Sequence, residues 1–261
     1  MSVDALRELC VFAVDVAWRA GRVTLGHFQA GVSVEMKEDS SPVTVADRDA
    51  ERAARRMIER RFPRDGILGE EYGAVRADAP RRWVIDPIDG TRSFVRGVPL
   101  YGVLIALEEA ERSLLGVIHL PALQETIYAA RGIGCWWNGR RARVSDVDRL
   151  DSAMLLTSDA AHVQSHGRGP AWDRLQAAGA TTRTWGDCYG YALVATGRAE
   201  AMFDPVLSVW DAAALPPIIE EAGGVITDWN GEDSYRNGHL VATNGALATQ
   251  IRELIRDGVG K

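Results

Sequence analysis

The stretch WVIDPIDGT (residues 83–91) carries the features that decide both the fold and the chemistry of this chain. Its apolar start is typical of a short buried strand, and Asp86 and Asp89 follow directly, three residues apart. Pro87 fixes its own φ and favours an extended conformation at Asp86. A purely structural turn would not need both acids beside the hydroxyl of Thr91. The pattern therefore indicates a ligand site at the end of a strand.

The residues after the two acids suggest which ligand binds. Gly90 lets the backbone approach a ligand closely, and Thr91 offers a hydroxyl. A helix that begins near Gly90 would direct its free N–H groups to the same point, and such helix ends bind phosphate well. Carboxylates beside a phosphate have a simple joint explanation, which is a set of divalent cations that bridge the two.

Other acids occupy comparable positions along the chain. Glu70 and Glu71 end the apolar run GILG, and Asp211 begins a stretch of helical character. Asp47 stands three residues after Thr44, which fits a capping box at the start of a helix. Each of these has a plain structural alternative, namely a solvated acid pair, a helix N-cap and a capping partner.

The periodicity divides the chain into two parts. Residues 4–29 and 45–62 are predicted to be amphipathic helices, followed by strand-like runs up to a hairpin near 133–144. Beyond a polar connector, short apolar runs alternate with helical stretches, which is typical of an α/β unit. We expect an α+β domain over residues 1–145 with most metal ligands, and an α/β domain over 146–261 with Asp211 and the substrate pocket.

Composition narrows the class of protein. The chain has 261 residues, 46% of them hydrophobic, with 30 basic and 36 acidic residues and a net charge of −6. This balance argues against a nucleic-acid binder, and no stretch approaches the length of a membrane span. No signal peptide is visible, and the three cysteines fit neither a metal site nor a disulfide framework. We expect a cytoplasmic protein without nucleic-acid or membrane partners.

Taken together, the motifs resemble the inositol monophosphatase family of metal-dependent, lithium-sensitive phosphatases. The matching segments are GEE (69–71), WVIDPIDGT (83–91) and WDAAALPPIIEEAGG (210–224), in the family's order, and the similarity extends from about residue 5 to 256. The resemblance implies a layered αβαβα sandwich, a small phosphate monoester as substrate, two or three Mg²⁺ ions and a homodimer.

The resemblance also implies roles for individual residues. The implied metal ligands are Glu70, Asp86, the carbonyl of Ile88, Asp89 and Asp211. Glu70 and Thr91 would orient and deprotonate the attacking water, supported by Asp47 with Thr44. The backbone N–H groups of Gly90 and Thr91 would bind phosphate oxygens.

Within this family the chain is most similar to the histidinol-phosphatase branch, in residues 93–107 and 186–211. In this family the stretch before the Trp-Asp pair builds the substrate pocket, and in this chain that stretch contains Asp187 and Asp204. Histidinol phosphate carries an ammonium and an imidazole, and two carboxylates suit such a cation better than a neutral polyol. Trp185 could stack on the imidazole. Each of the two acids could instead belong to a turn.

The motifs are also compatible with functions other than that of a histidinol-phosphatase. An inositol-1-phosphate phosphatase or a broad sugar-phosphate phosphatase would use the same machinery, and a non-catalytic interaction protein is an alternative of another class. Two structural expectations accompany these hypotheses. Pro216 and Pro217 should kink or split the helix after Asp211. His162 and His166 are expected in an exposed loop.

Overall fold

The computed structural model describes residues 2–37 and 42–256, which form helices and strands in the predicted alternation. The helices are α1 (Val3–His27), α2 (Val45–Arg61), α3 (Thr91–Val95), α4 (Ala160–Ser165), α5 (Gly169–Ala177), α6 (Asp187–Ala195), α7 (Val209–Ala212), α8 (Leu215–Glu221) and α9 (Ala248–Arg256). The strands are β1 (Val34–Met36), β2 (Pro42–Thr44), β3 (Gly66–Gly69), β4 (Gly73–Val75), β5 (Arg81–Asp89), β6 (Gly102–Glu109), β7 (Arg112–Leu120), β8 (Glu125–Ala130), β9 (Gly134–Trp137), β10 (Arg140–Arg141), β11 (Met154–Thr157), β12 (Thr181–Arg183), β13 (Ala201–Asp204), β14 (Val225–Thr227) and β15 (Leu240–Thr243).

Two larger sheets organise these strands within the described residues. The first has eight strands in the order β10-β9-β8-β7-β6-β5-β3-β4, and the second has five in the order β12-β11-β13-β15-β14. β3 and β5 are parallel neighbours, so their carboxyl ends lie at the same edge of the first sheet. The acids that follow these two strands are thereby brought to one edge.

Helices cover both sheets and fill the space between them. α1 and α2 pack on the outer face of the first sheet, α6 and α8 lie between the sheets, and α5 packs with α9 on the outer face of the second. The strands alternate accordingly, since Met202 belongs to the central core and its neighbours Ala201 and Phe203 to the outer one. This is the αβαβα sandwich that the resemblance implied.

The start of the second helix follows the predicted capping box. Thr44 is the N-cap of α2, its hydroxyl accepts a 3.1 Å hydrogen bond from the Ala46 N–H, and its own N–H donates to Asp47 Oδ2 at 2.7 Å. Asp47 is buried, whereas most caps are exposed. The cap therefore also fixes the carboxylate inside the protein.

The double proline divides the helix after Asp211, as predicted. α7 ends at Ala212 and α8 begins at Leu215, which places Pro216 and Pro217 in the first turn of the second piece. Backbone N–H groups in a first turn have no intrahelical partner, so proline costs little there. The split leaves Asp211 on a short separate helix at the edge of the first sheet.

Other elements were outside the sequence-based expectations. The pairing of β1 with β2 and the short strand β4 were not predicted, and His162 lies in α4, although its side chain is exposed as expected. The strands of the eight-stranded sheet all precede residue 145, and those of the five-stranded sheet all follow it. The division into two domains at this position stays a prediction. No helix within the described ranges is long and apolar enough to cross a membrane.

Candidate active site

The centre of the site is a group of three carboxylates at the end of β5. Asp86, Asp89 and Asp211 each place one carboxylate oxygen within 4.8 Å of the others. In a regular strand, residues three apart point to opposite faces, but the register with β6 shifts between Asp86 and Asp89. This irregularity brings both acids to one side, and the Ile88 N–H donates to Asp86 Oδ1 at 3.0 Å.

Asp211 joins the group from the short helix α7. Ser208 is the N-cap, and its N–H donates to Asp211 Oδ2 at 2.8 Å, so Asp211 is the third residue of a capping box and not an N-cap itself. The N-cap position that sequence offered as the structural alternative for Asp211 is therefore occupied by Ser208. The same carboxylate both caps the helix and faces the acids of β5.

Glu70 follows β3 at the same sheet edge. Its N–H donates to the carbonyl oxygen of Ile85, and its Oε1 lies 2.8 Å from Lys37 Nζ. Lys37 also contacts Glu71, at 2.6 Å. Burial raises the pKa of Glu70 to about 7, although the Lys37 ammonium acts in the opposite direction.

The carboxylates are costly to charge in this setting. Burial raises the pKa values of Asp86 and Asp89 well above their ordinary range, and the neighbouring acids raise them further. A divalent cation would offset both effects. Clustered oxygen donors are the ligands that Mg²⁺ and similar hard cations prefer, so the residues present fit such an ion.

Thr91 and its neighbours form the adjoining wall. Gly90 has φ +85°, a left-handed conformation that favours glycine, and α3 begins directly after it. Thr91 Oγ1 donates to the carbonyl oxygen of Ile88 at 2.9 Å and lies 3.5 Å from Asp47 Oδ1. The structure thus brings the residues proposed for phosphate binding and for water activation to the edge of the carboxylate group.

A cavity of about 140 Å³ continues from the carboxylate group towards the second sheet. Asp187 and Asp204 both line it, together with Asp89 and Asp211. Ser158 connects the first two, since its Oγ accepts from the Asp187 N–H at 2.8 Å and donates to Asp204 Oδ1 at 2.7 Å. Both acids predicted for the substrate pocket therefore lie beside the proposed metal ligands.

Both substrate-pocket acids are desolvated. Burial raises the pKa of Asp187 to about 6 and that of Asp204 to about 7. Asp204 is only 2% exposed; its Oδ1 accepts from Ser158, and the buried Tyr191 hydroxyl interacts with the same carboxyl group. Asp187 has φ +52°, a left-handed conformation that is unusual outside glycine, asparagine and aspartate.

A second cavity of about 400 Å³ adjoins the first and shares Asp187 and Asp211 with it. It is lined by Glu70, Thr91, Arg92 and Asp187, among others. Thr184 and Gly186 belong to its lining, but Trp185 between them does not, and Trp185 is 42% exposed. The stacking role suggested for Trp185 stays a prediction.

Several residues at the site were missed by sequence reasoning. Ser158, Asp159 and His162 line both cavities, and Asp159 is the N-cap of α4. Asp159 could have been found as a Ser-Asp pair before a helical segment, which is a typical N-terminal signal. Lys37 carried no local signal, because its partners lie 33 and 34 residues away.

Comparisons with known proteins agree with this geometry. The model of the inositol monophosphatase family matches residues 5–259. A histidinol-phosphatase of Chlorobaculum parvum is 43% identical over 94% of this chain and 96% of its own, and one of Mycobacterium tuberculosis is 39% identical over 95% and 98%. The solved structure of the extragenic suppressor protein suhB from Bartonella henselae superposes with a TM-score of 0.90, at 29% identity, over 97% of this chain and 100% of that one.

These matches span nearly the whole chain, including the residues that form both sheets. The similarity to the family is therefore not confined to the three motifs and covers the whole αβαβα sandwich. The chain therefore belongs to the inositol monophosphatase family and is a phosphomonoesterase.

Proposed function

We propose that this protein hydrolyses histidinol phosphate to histidinol and phosphate, with two or three Mg²⁺ ions held by the acidic group. One observation carries the choice of substrate. Asp187 and Asp204 line a cavity next to the proposed metal ligands, so two carboxyl groups lie where the non-phosphate end of the substrate would bind. The relatives named histidinol-phosphatase support the same substrate.

The charge of the cavity favours a cationic substrate. The ammonium of histidinol phosphate can donate to the carboxylates of Asp187 and Asp204, and a cation beside them would favour their charged forms. A neutral polyol can donate hydroxyl hydrogen bonds to the same carboxylates but carries no opposite charge. Because hydrogen bonds between charged partners are the stronger ones, we expect the cavity to favour histidinol phosphate over inositol 1-phosphate.

The metal would be held by oxygen donors alone, from Glu70, Asp86, Asp89, Asp211 and the Ile88 carbonyl. Members of this family use Mg²⁺, and the three aspartates have the clustering that such an ion requires. When bound, Mg²⁺ lowers the pKa of water and stabilises charge on the phosphoryl oxygens.

The protein's own groups would complete the chemistry. Glu70 would accept a proton from the attacking water, which the bound ion makes more acidic. Thr91 would orient that water through its hydroxyl, which the Ile88 carbonyl and Asp47 hold in place. The N–H groups of Gly90 and Thr91 would bind phosphate oxygens, as expected at the start of a helix.

Competing substrates belong to the same reaction class. Inositol 1-phosphate or a range of sugar phosphates would use the same metal ligands and differ only at the non-phosphate end. Because the chain is a phosphomonoesterase of this family, the alternative of a non-catalytic interaction protein is dropped. We retain the homodimer as a proposal, which sedimentation velocity would test.

Asp187→Asn and Asp204→Asn test the substrate proposal. Asparagine keeps the shape of each side chain and also tolerates the left-handed conformation of Asp187. We expect kcat/KM for histidinol phosphate to fall about tenfold or more, as for loss of a buried charged hydrogen bond, and kcat/KM for inositol 1-phosphate to change less than about threefold. Asp151→Asn, an exposed acid paired with Arg149, is the matched control. Equal losses for both substrates would contradict a charge-based preference.

A further inference from the structure

Glu51 is a fully buried acid that the proposed mechanism does not use. It lies one helical turn after Asp47 on α2, and its Oε1 accepts from Arg55 Nε at 2.6 Å. Its Oε2 accepts from the Glu71 N–H at 2.7 Å, and Oε1 also accepts from the Tyr72 N–H at 3.3 Å. Glu51 therefore binds the backbone of the turn between β3 and β4, which directly follows Glu70.

Arg55 binds the end of the same turn, at Gly73. Its Nη2 donates to the carbonyl oxygen of Gly73, while its Nε holds Glu51. The turn is thus fixed at residues 71, 72 and 73 by one buried ion pair on α2. On the other side of Glu70, the Glu70 N–H is held by the Ile85 carbonyl of β5.

The Glu51–Arg55 ion pair lies so close to Gly69 that the position has no room for a side chain. A Cβ at Gly69 would lie 2.1 Å from Glu51 Oε1 and 2.9 Å from Arg55 Nη2. No side chain larger than hydrogen can occupy that position while Glu51 stays in place. The glycine of the GEE motif is therefore explained by the carboxylate of Glu51, and not by backbone conformation.

We propose that Glu51, held by Arg55, is a positioning residue that sets the place of the Glu70 carboxylate among the metal ligands. The inference rests on the proposed role of Glu70 as a ligand. α2 then supports both halves of the site from one face, since Asp47 contacts Thr91 and Glu51 holds the backbone after Glu70. Removal of such a supporting group lowers metal affinity about 10- to 100-fold in metalloproteins.

The test is the Mg²⁺ dissociation constant of the full chain, measured by calorimetry without substrate. We expect Glu51→Gln to raise it at least about tenfold, approaching the value of Glu70→Gln. The double variant Glu51→Gln/Glu70→Gln should bind no more weakly than Glu70→Gln alone, because the two residues act through one ligand. Additive losses would overturn the proposal.

Glu108→Gln is the matched control for loss of a buried carboxylate. Glu108 is 2% exposed, accepts from Arg82 and Arg236, and pairs with the start of β5, at the opposite end of that strand from Asp89. We expect it to lower the melting temperature as Glu51→Gln does, but to leave the Mg²⁺ dissociation constant unchanged. If Glu51→Gln also leaves that constant unchanged, Glu51 is merely structural.

Arg55→Lys covers the case in which Glu51→Gln does not fold. Lysine keeps the charge beside Glu51 but cannot hold both Glu51 and the Gly73 carbonyl in the arginine geometry. We expect a smaller but measurable loss of Mg²⁺ affinity, and an unchanged value would overturn the proposal. If Glu70→Gln itself binds Mg²⁺ normally, the ligand role of Glu70 fails, and this inference fails with it. If Glu70→Gln loses Mg²⁺ affinity but Glu51→Gln and Arg55→Lys do not, this inference is overturned and the ligand role of Glu70 is not.

Discussion

The hydroxyl of Thr91 lies 2.9 Å from the carbonyl oxygen of Ile88 and donates its hydrogen there. The hydroxyl hydrogen is therefore engaged by the backbone of the same turn, and the lone pairs of Oγ1 are left to accept a hydrogen bond from a water molecule. Asp47 lies 3.5 Å away on the other side. The two contacts hold the Thr91 hydroxyl in place, which is the geometry that its proposed role in orienting water requires.

Replacement of Thr91 by valine tests that role. Valine keeps the branched shape but has no hydroxyl, so we expect kcat to fall about 100-fold or more, as is typical for loss of a general acid–base group. Thr91→Ser keeps the hydroxyl and should retain most of the activity. The measurement is kcat at saturating Mg²⁺ and substrate, and similar values for the valine and serine variants would rule out an orienting hydroxyl.

Asp89→Asn should abolish phosphate release while leaving the fold intact. The asparagine oxygen can still accept from the Cys188 N–H, as Asp89 Oδ2 does, but a charged metal ligand is lost. In EDTA the melting temperature should be no lower than that of the unaltered chain, because a carboxylate has been removed from an acidic group. Added Mg²⁺ should stabilise the unaltered chain and not the variant. Near-normal turnover would contradict the metal site.

The metal-free protein should lose stability as the pH rises from about 4.5 to 7.5, because the buried acids of the site lose their protons in the folded state over this range. Burial raises the folded-state pKa values of Glu70 and Asp204 to about 7, above the ordinary values of 4.5 and 3.8. The folded state then binds more protons than the unfolded state over this range, so the stabilisation present at low pH disappears as the pH passes the folded pKa. His119, whose pKa burial lowers to about 4, acts in the opposite direction but only below its unfolded value of 6.5.

Thermal unfolding in EDTA at several pH values checks this dependence. Asp204→Asn should reduce the decline of the melting temperature between about pH 4.5 and 7.5, and Asp151→Asn, at an exposed site, should not. With saturating Mg²⁺ the decline should be smaller, because the ion stabilises the charged carboxylates. A melting temperature that rises across this window in EDTA would show that the buried acids are not protonated in the folded state.

Gly116→Ala should destabilise the protein, because it disturbs the packing of β7 against the backbone just before α8. A Cβ at Gly116 of β7 would lie 1.9 Å from the carbonyl oxygen of Ala214, in the link between α7 and α8. Overpacking of this kind costs about 1–3 kcal/mol. The control is Gly26→Ala in α1, where nothing lies within 4 Å and alanine should stabilise by about 0.5–1 kcal/mol. Denaturant unfolding measures both, and equal effects would contradict the close approach.

The elements that could be predicted are those whose signals are local. The run before Asp86 is buried on both faces, with Trp83 and Ile85 towards α1 and α2 and Val84 towards the central layer, and a continuous apolar run is the expected pattern for such a strand. The capping box of α2 and the split at Pro216 likewise follow from residues only a few positions apart.

The site could be predicted only as far as the motifs extend. Pro87 signals an irregularity in the strand between Asp86 and Asp89, because proline inside a sheet is found at edges and bulges, but it does not show that the shift of register brings the two acids to one side. The contacts of Lys37 with Glu70, of Ser158 with Asp204 and of Glu51 with the Glu71 N–H join residues at least 20 positions apart, and they depend on how the sheets and helices meet. Spacing along the chain does not report such contacts, whereas the fold places them within hydrogen-bond distance.

The most direct test of the central claim is phosphate release by the unaltered protein with Mg²⁺ from histidinol phosphate and from inositol 1-phosphate. We predict that kcat/KM for histidinol phosphate exceeds that for inositol 1-phosphate by at least about tenfold, the equivalent of about 1.4 kcal/mol from the acids of the cavity. Faster turnover of inositol 1-phosphate would contradict the substrate proposal, and no release from either would contradict the proposed metal site.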